Sequence, residues 1–224
     1  MENSVILNET IAIDEKEDPG NSFKILLRKP IVLIFLFIYI IYSVIYAQCG
    51  FSLPLVLNKI YMDKGSEIFG LLMSVNSFTV VVLTLLVTNL TQKKNPLFNM
   101  AVAGIFYALG FGMIGIINTF SLFVVSTILW TIGEILINTN IGTYLANNSP
   151  VNFRARFSAL ECLSWAIGTS FGTSAMGKYI DLMGINAVWP LMFLLSVIAS
   201  FSMLLLYLYS LKKASNKKHS CSIK

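Results

Sequence analysis

Residues 130 to 140 read WTIGEILINTN and place a glutamate, Glu134, in the middle of an apolar run long enough to cross a membrane. Around it, small and polar residues recur every three or four positions, the spacing that puts them on one face of a helix. These residues are Thr127, Thr131, Glu134, Asn138 and Gly142. Exposure of a polar stripe on a spanning helix to hydrocarbon costs free energy. This face must therefore line a helix interface or a water-filled cavity.

The chain as a whole has the composition of a polytopic membrane protein. Of its 224 residues, 56% are hydrophobic and only 12% are charged, and the mean hydropathy is +0.75. This is too apolar for a soluble domain of this size. The net charge of +5 comes from basic residues between apolar segments, so it indicates membrane topology and not nucleic-acid binding. Cys49, Cys162, Cys221 and the single histidine, His219, are too scattered for a metal site, and we expect no cofactor.

Six stretches have about the 20 residues that a helix needs to cross the hydrocarbon core. They lie near residues 30–57, 67–89, 97–117, 121–145, 156–179 and 187–211. We expect the first span to bend or end at Gly50 and Pro54. The bundle then occupies residues 26–212. Residues 1–25 form an acidic cytoplasmic tail or a former interdomain linker, and residues 213–224 form a basic cytoplasmic tail.

The distribution of Lys and Arg predicts the orientation, because basic residues near helix ends are retained in the cytoplasm. Only Lys59, Lys64 and Lys178 fall on one side. The basic residues of the other side are Lys24, Arg28, Lys29, Lys93, Lys94, Arg154, Arg156, Lys212, Lys213, Lys217, Lys218 and Lys224. Both termini are therefore expected in the cytoplasm, which agrees with an even number of spans. The basic C-terminal tail also fits a lipid-recognition cluster, although topogenic charge explains it more simply.

The six spans are of two kinds, and the two kinds follow the same order in the first three spans and in the last three. The first, second, fourth and fifth carry polar or small residues at helical spacing, whereas the third and sixth are apolar. The third span carries small residues that allow close helix packing, namely Ala101, Gly104, Ala108, Gly112 and Gly115. We therefore predict an all-α membrane protein of six transmembrane helices, built as two inverted three-helix repeats. The third and sixth spans would be peripheral, and the other four would line a cleft.

Several stretches resemble the C-terminal six-helix half of a major facilitator superfamily transporter, most closely the proton-coupled multidrug efflux branch. The resemblance covers roughly residues 20–212. It is carried by FSLPLVLNKI (51–60), FGLLMSVNS (69–77), the Gly133-Glu134 pair, SPVNFRARFSAL (149–160) and GKYIDLMG (177–184). In the cytoplasmic loop the match is Pro150, Arg154 and Arg156, with Ala155 in place of the glycine usual in this family. Between the second and third spans, TNLTQKKNP keeps only the two lysines of the family pattern.

The resemblance implies a protein of the plasma membrane that moves a small molecule by alternating access, with protons as coupling ions. Because such transporters have two six-helix halves, it also implies a second half or a homodimer. Arg154 and Arg156 would form a cytoplasmic gate loop. The proton or substrate pathway would include Glu134, Glu161, Asn138, Asn76, Thr131, Tyr46 and Gln48.

Each of these residues also has a structural interpretation. Glu134 is either a protonatable site facing a cavity or a structural acid that bonds a neighbouring helix. Glu161 lies near the cytoplasmic boundary, where an ion pair with Arg154 or Arg156 is favoured. The amides of Asn76, Gln48 and Asn138 can equally join helices. An enzyme is not expected, because the only histidine lies in the tail. The chain can also be a truncated or split non-transporting half, or a regulatory membrane subunit.

Overall fold

Apolar periodicity and helix-breaking residues divide the described part of the chain into seven α-helices. A computed structural model describes residues 30–149 and 153–221, with side chains described as far as residue 213. The predicted N-terminal tail, Pro150 and the side chains of the basic tail beyond 213 lie outside this part. The helices are α1 (Pro30–Gly50), α2 (Ser52–Tyr61), α3 (Gly65–Thr91), α4 (Pro96–Met113), α5 (Phe120–Asn148), α6 (Arg154–Met183) and α7 (Val188–Cys221).

The first predicted span is divided as expected. Helix α1 ends at Gly50 and α2 begins at Ser52, with Pro54 in its first turn, where a missing N–H costs no hydrogen bond. A short 3₁₀ turn, Met62–Lys64, then reverses the chain into α3. The return is antiparallel, because the thiol of Cys49 lies 3.9 Å from the sulfur of Met73.

Four stretches of the described chain are long and apolar enough to cross a membrane. They are Pro30–Thr91, Pro96–Met113, Phe120–Asn148 and Ile185–Lys213. The first has 62 residues and contains the reversal at Met62–Lys64, so it holds the predicted first and second spans. Helix α6, where the fifth span was predicted, is rich in Ser, Thr and Gly and is not among the four. Its 30 residues extend about 45 Å, which is long enough to span.

Helix packing joins the two halves of the bundle. Helix α1 packs against α6 and α7, α5 packs against α3 and α4, and α4 also packs against α7. The small residues of α4 permit the last contact, as predicted. A methyl group built on Gly112 would lie 2.7 Å from the Phe193 ring, and one on Gly104 would lie 2.6 Å from Cβ of Ser200.

The connecting loops gather at two opposite ends of the bundle. At one end, Tyr61 Oη donates to the Asn118 carbonyl at 3.0 Å, and Lys59 Nζ donates to Asn186 Oδ1 at 3.5 Å. At the other end, the start of α1, the loop before α4 and the end of α5 meet Lys213 of α7 around one pocket. Of the basic residues assigned to the cytoplasm from the sequence, Lys94 and Lys213 line cavities at this second end.

Helix α4 is less peripheral than predicted for the third span. Most of its side chains are buried, and only Ile105 and Leu109 are large exposed hydrophobic residues on it. The reason is that one face meets α7 through small residues while the opposite face meets α5. Helix α7 keeps a broad exposed apolar face, as expected for a helix in contact with lipid.

Candidate substrate and proton site

The carboxylate of Glu134 is held between three helices. Tyr46 Oη, on α1, donates to Glu134 Oε1 at 2.9 Å, and Asn76 Nδ2, on α3, donates to Glu134 Oε2 at 2.9 Å. The same Asn76 amide donates to Thr131 Oγ1 at 2.9 Å, and Thr131 donates to the Thr127 carbonyl at 2.6 Å. Both carboxylate oxygens therefore have a donor, and the polar stripe of α5 supplies the centre of the network.

A close approach at Gly133 brings an aromatic ring to this network. A methyl group built on Gly133 would lie 2.6 Å from Cδ1 of Tyr107 and 3.0 Å from the Ala103 carbonyl. Because glycine has no side chain, the Tyr107 ring of α4 lies directly over the α5 backbone. Tyr107 thereby reaches the same space as the next residue of α5, Glu134.

That space is a cavity of about 190 Å³. Its lining comes from α1, α4, α5 and α6, and the residues are Tyr39, Tyr42, Ser43, Tyr46, Tyr107, Glu134, Ile137, Asn138 and Trp165. Tyr46 is the central ring, with centroid distances of 5.4 Å to Trp165 and 6.5 Å to Tyr107. Aromatic faces around a carboxylate form a surface suited to a flat organic cation, since both attract positive charge.

The sequence model of the Major Facilitator Superfamily matches residues 7–173, which is most of the chain. This chain belongs to the major facilitator superfamily. Members of the superfamily are membrane transporters that sit in the lipid bilayer and bind small-molecule substrates, so the chain is an integral membrane protein of the transporter class. A comparison with curated proteins gives no match.

Five of the predicted pathway residues of this superfamily member meet at the cavity or directly behind it. Glu134, Tyr46 and Asn138 line the cavity, and Asn138 is exposed. Asn76 and Thr131 lie behind Glu134 and bond to each other. Helical spacing marked these positions on α1 and α5, and Asn76 was predicted beside the polar residues of α3; the structure brings them together.

Gln48 is placed differently. Its side chain is fully buried, donates to the Gly172 carbonyl of α6 at 3.3 Å, and accepts from Ser52 Oγ at 2.7 Å. It is not among the residues that line the cavity. The reason is that Gly168 and Gly172 let α6 pack directly on α1, so the amide is enclosed between the two backbones.

The remaining predicted residues lie toward the N-terminal end of α6. Glu161 is half-buried one helical turn before Trp165, a lining residue of the cavity. Arg154 and Arg156 are exposed in the first turn of α6, and the Arg156 guanidinium lies 5.3 Å from the centre of the Phe153 ring. These arginines are two or more turns of α6 before Trp165, and their role in a gate loop stays a prediction.

The lining residues that were missed from the sequence include Tyr107 and Trp165. Tyr107 belongs to the span with no acidic or basic residue, so nothing in its own helix marked it as part of a site. Trp165 is four residues after Glu161, and this spacing was a usable signal because it puts both on one face. Among the described residues, no group of three or more His, Cys, Asp or Glu side chains lies close enough to hold a metal ion.

Proposed function

We propose that this chain moves a small organic cation across the plasma membrane by alternating access, in exchange for protons that bind at Glu134. It would do so as one half of a transporter. The six spans would be arranged as two inverted three-helix repeats, and both termini would lie in the cytoplasm. The observation that carries the proposal is the position of Glu134, which lines a cavity and also joins three helices.

The packing pattern supports the inverted repeat. An exchange of the two three-span units replaces the first span with the fourth, the second with the fifth, and the third with the sixth. Under this exchange, the contact of α1 with α6 becomes the contact of α5 with α3, and both are present. The contact of α1 with α7 likewise becomes that of α5 with α4. A two-fold relation of this kind is the usual architecture of secondary transporters.

Protonation of Glu134 would change helix contacts, which links proton binding to movement. The ionised carboxylate accepts from Tyr46 and Asn76 at the same time. The protonated carboxyl group is neutral, so the hydrogen bonds from Tyr46 and Asn76 lose the charge that strengthens them. The α1 and α3 contacts of α5 then weaken. A bound cation would have the opposite effect, because it favours the ionised form.

A second half or a homodimer is supported by exposed faces beside the cavity. Helices α3 and α6 are mostly exposed, and large residues such as Phe78 and Phe171 are 69% and 66% exposed. The same helices carry exposed Ser and Thr side chains, which lipid covers poorly. The cavity is also smaller than the roughly 300–1,000 Å³ typical of sites that enclose small molecules. A facing bundle would cover the mixed surface and complete the cavity.

A second interpretation is a non-transporting half or regulatory membrane subunit. It is favoured by one observation: both oxygens of Glu134 already have hydrogen-bond donors from neighbouring helices, as a purely structural acid would. In that case Glu134 stabilises the bundle and binds no transported proton.

The two interpretations predict different uptake of an organic cation into vesicles. The full chain is reconstituted into vesicles with a pH gradient, and accumulation of a fluorescent lipophilic cation is recorded before and after a protonophore. Accumulation that collapses with the protonophore supports proton exchange. Active protein that accumulates the cation equally without a pH gradient contradicts proton coupling, and absence of accumulation by every assembly of the chain supports the non-transporting interpretation.

A further inference from the structure

A second cavity system lies on the opposite side of α1 from the candidate site. It begins as an apolar groove of about 490 Å³ between α1 and α7. The residues along it are Ile31, Ile34, Phe37, Ile38, Ile41, Ile198, Ser202, Leu205, Leu206 and Tyr209. Only Ser202 and the hydroxyl of Tyr209 interrupt its apolar wall, so the groove suits a hydrocarbon chain.

The groove has the length of one leaflet of a bilayer. Along α1 it extends from Ile31 to Ile41, ten residue steps or about 15 Å of helix. This is half of the roughly 30 Å of hydrocarbon in a membrane. The groove begins at the end of the bundle that carries Lys213, and Ile41 and Ile198 line its other end.

At that end a polar pocket of about 460 Å³ adjoins the groove, and Ile31 lines both. The polar lining includes Asn95, Asn147, Ser210 and Lys213. Asn95 uses Oδ1 to cap the first turn of α4 at Leu97, and within the described chain its Nδ2 group makes no hydrogen bond. The pocket therefore offers an ammonium group and amide donors at the depth of the lipid headgroups.

The described side chains of this region carry charge of one sign. Among the residues that the structure describes, none that lines the groove or the polar pocket is acidic. A neighbouring polar cavity shares Pro96 and Asn147 with the pocket and adds Lys94 to the positive charge. A basic pocket directly below a leaflet-deep apolar groove is complementary to a molecule with a negatively charged head and a hydrocarbon tail.

We propose that one anionic glycerophospholipid of the adjacent leaflet occupies this site, with an acyl chain in the groove between α1 and α7. Its phosphate binds the Lys213 ammonium group and the amides of Asn95 and Asn147. The inference concerns a lipid that stays with the protein. It does not depend on transport, because the cavity at Glu134 lies on the other face of α1.

The test counts lipids on the purified full chain by native mass spectrometry in detergent. Phosphatidylglycerol or phosphatidylcholine with the same acyl chains is titrated in, and the first binding constant is compared. We expect the wild type to bind the first phosphatidylglycerol about fivefold more tightly, the preference that one lysine at a headgroup provides. Glycerophosphoglycerol without acyl chains should not bind, which separates a lipid site from a phosphate site.

Paired variants locate the site. Lys213→Gln should abolish the preference for phosphatidylglycerol, while Lys212→Gln, the same charge change on the adjacent exposed residue, should keep most of it. Ser202→Phe fills the groove and should weaken the first binding of both lipids, while Val197→Phe, on α7 outside the groove, should not. Because Lys213 is exposed, its variant tests the headgroup pocket even if Ser202→Phe fails to fold.

Three outcomes would overturn the proposal. Equal binding of both lipids by the wild type would show that the pocket does not select an anionic headgroup. Lys212→Gln and Lys213→Gln could lower the preference equally, which would show a diffuse basic surface. A folded Ser202→Phe variant could bind lipid normally while losing self-association, which would make the groove a site for a protein helix.

Discussion

The phenol of Tyr46 donates a 2.9 Å hydrogen bond to the carboxylate of Glu134, 88 positions away in the sequence. It joins α1 to α5 at the wall of the cavity, beside the rings of Tyr107 and Trp165. A proton or a cation that arrives at Glu134 therefore acts directly on a contact between two helices.

Removal of the Tyr46 hydroxyl should impair transport without emptying the cavity. Tyr46→Phe keeps the ring but deletes the donor, and a hydrogen bond to a charged group contributes about 1.5 to 3 kcal/mol. We expect proton-driven flux to fall by roughly tenfold or more, since a tenfold change corresponds to about 1.4 kcal/mol. Tyr39→Phe is the control, because Tyr39 lines the same cavity and its described contacts do not include a hydrogen bond to Glu134. Equal losses in both variants would contradict a specific role for Tyr46.

The link from α3 to α5 should depend on Asn76. Asn76→Ala deletes the donor to Glu134 Oε2 and Thr131 Oγ1, so both acceptors lose a partner. We expect thermal unfolding in detergent to show a loss of about 1 kcal/mol, the usual size for a hydrogen bond between membrane helices. Ser77→Ala is the control, since Ser77 is bonded only within its own helix, to the Met73 carbonyl. A stability of Asn76→Ala equal to that of the control would count against the network.

Gly133 should tolerate no side chain. In Gly133→Ala the new methyl group meets the Tyr107 ring and the Ala103 carbonyl, so α4 and α5 must separate. Overpacking of this kind costs about 1 to 3 kcal/mol. Gly142→Ala, on the same helix, has nothing within 4 Å of the new methyl group and should keep wild-type stability. Comparison of the two melting temperatures in detergent tests this, and a harmless Gly133→Ala would contradict the close approach.

Helical periodicity was sufficient to predict which residues of the site share one face of a single helix. Thr131, Glu134 and Asn138 share a face because of the 3.6-residue period, and that face meets the cavity network as expected. The break at Gly50 also followed from local chemistry.

Contacts between helices were not available from periodicity. Tyr107 reaches the cavity only because the facing residue on α5 is a glycine, and Gln48 is enclosed because the facing residues on α6 are glycines. In both cases the decisive residue is on another helix. Helix α6, where the fifth span was predicted, is not among the described stretches that are apolar enough to cross a membrane, because its Ser, Thr and Gly content lowers its hydropathy.

A partner bundle should cover α6 but leave α7 to lipid. A benzophenone amino acid at Phe171, 66% exposed on α6, should give protein adducts upon illumination in native membranes. The same group at Phe201, 60% exposed on α7, should give mainly lipid adducts. Electrophoresis of the tagged chain distinguishes the two. Lipid adducts alone at both positions would contradict a second half or a homodimer.

In the proposed mechanism Glu134 carries the coupling proton. The direct test of this role is proton-driven flux in vesicles at matched protein levels. Glu134→Gln mimics the protonated form and should leave folding and membrane level intact while it abolishes pH-driven transport. Glu161 is half-buried and lies nearer the start of α6, so Glu161→Gln should retain coupling and alter only the rate. Wild-type flux and pH dependence in Glu134→Gln would contradict the account and leave this glutamate as a structural link between helices.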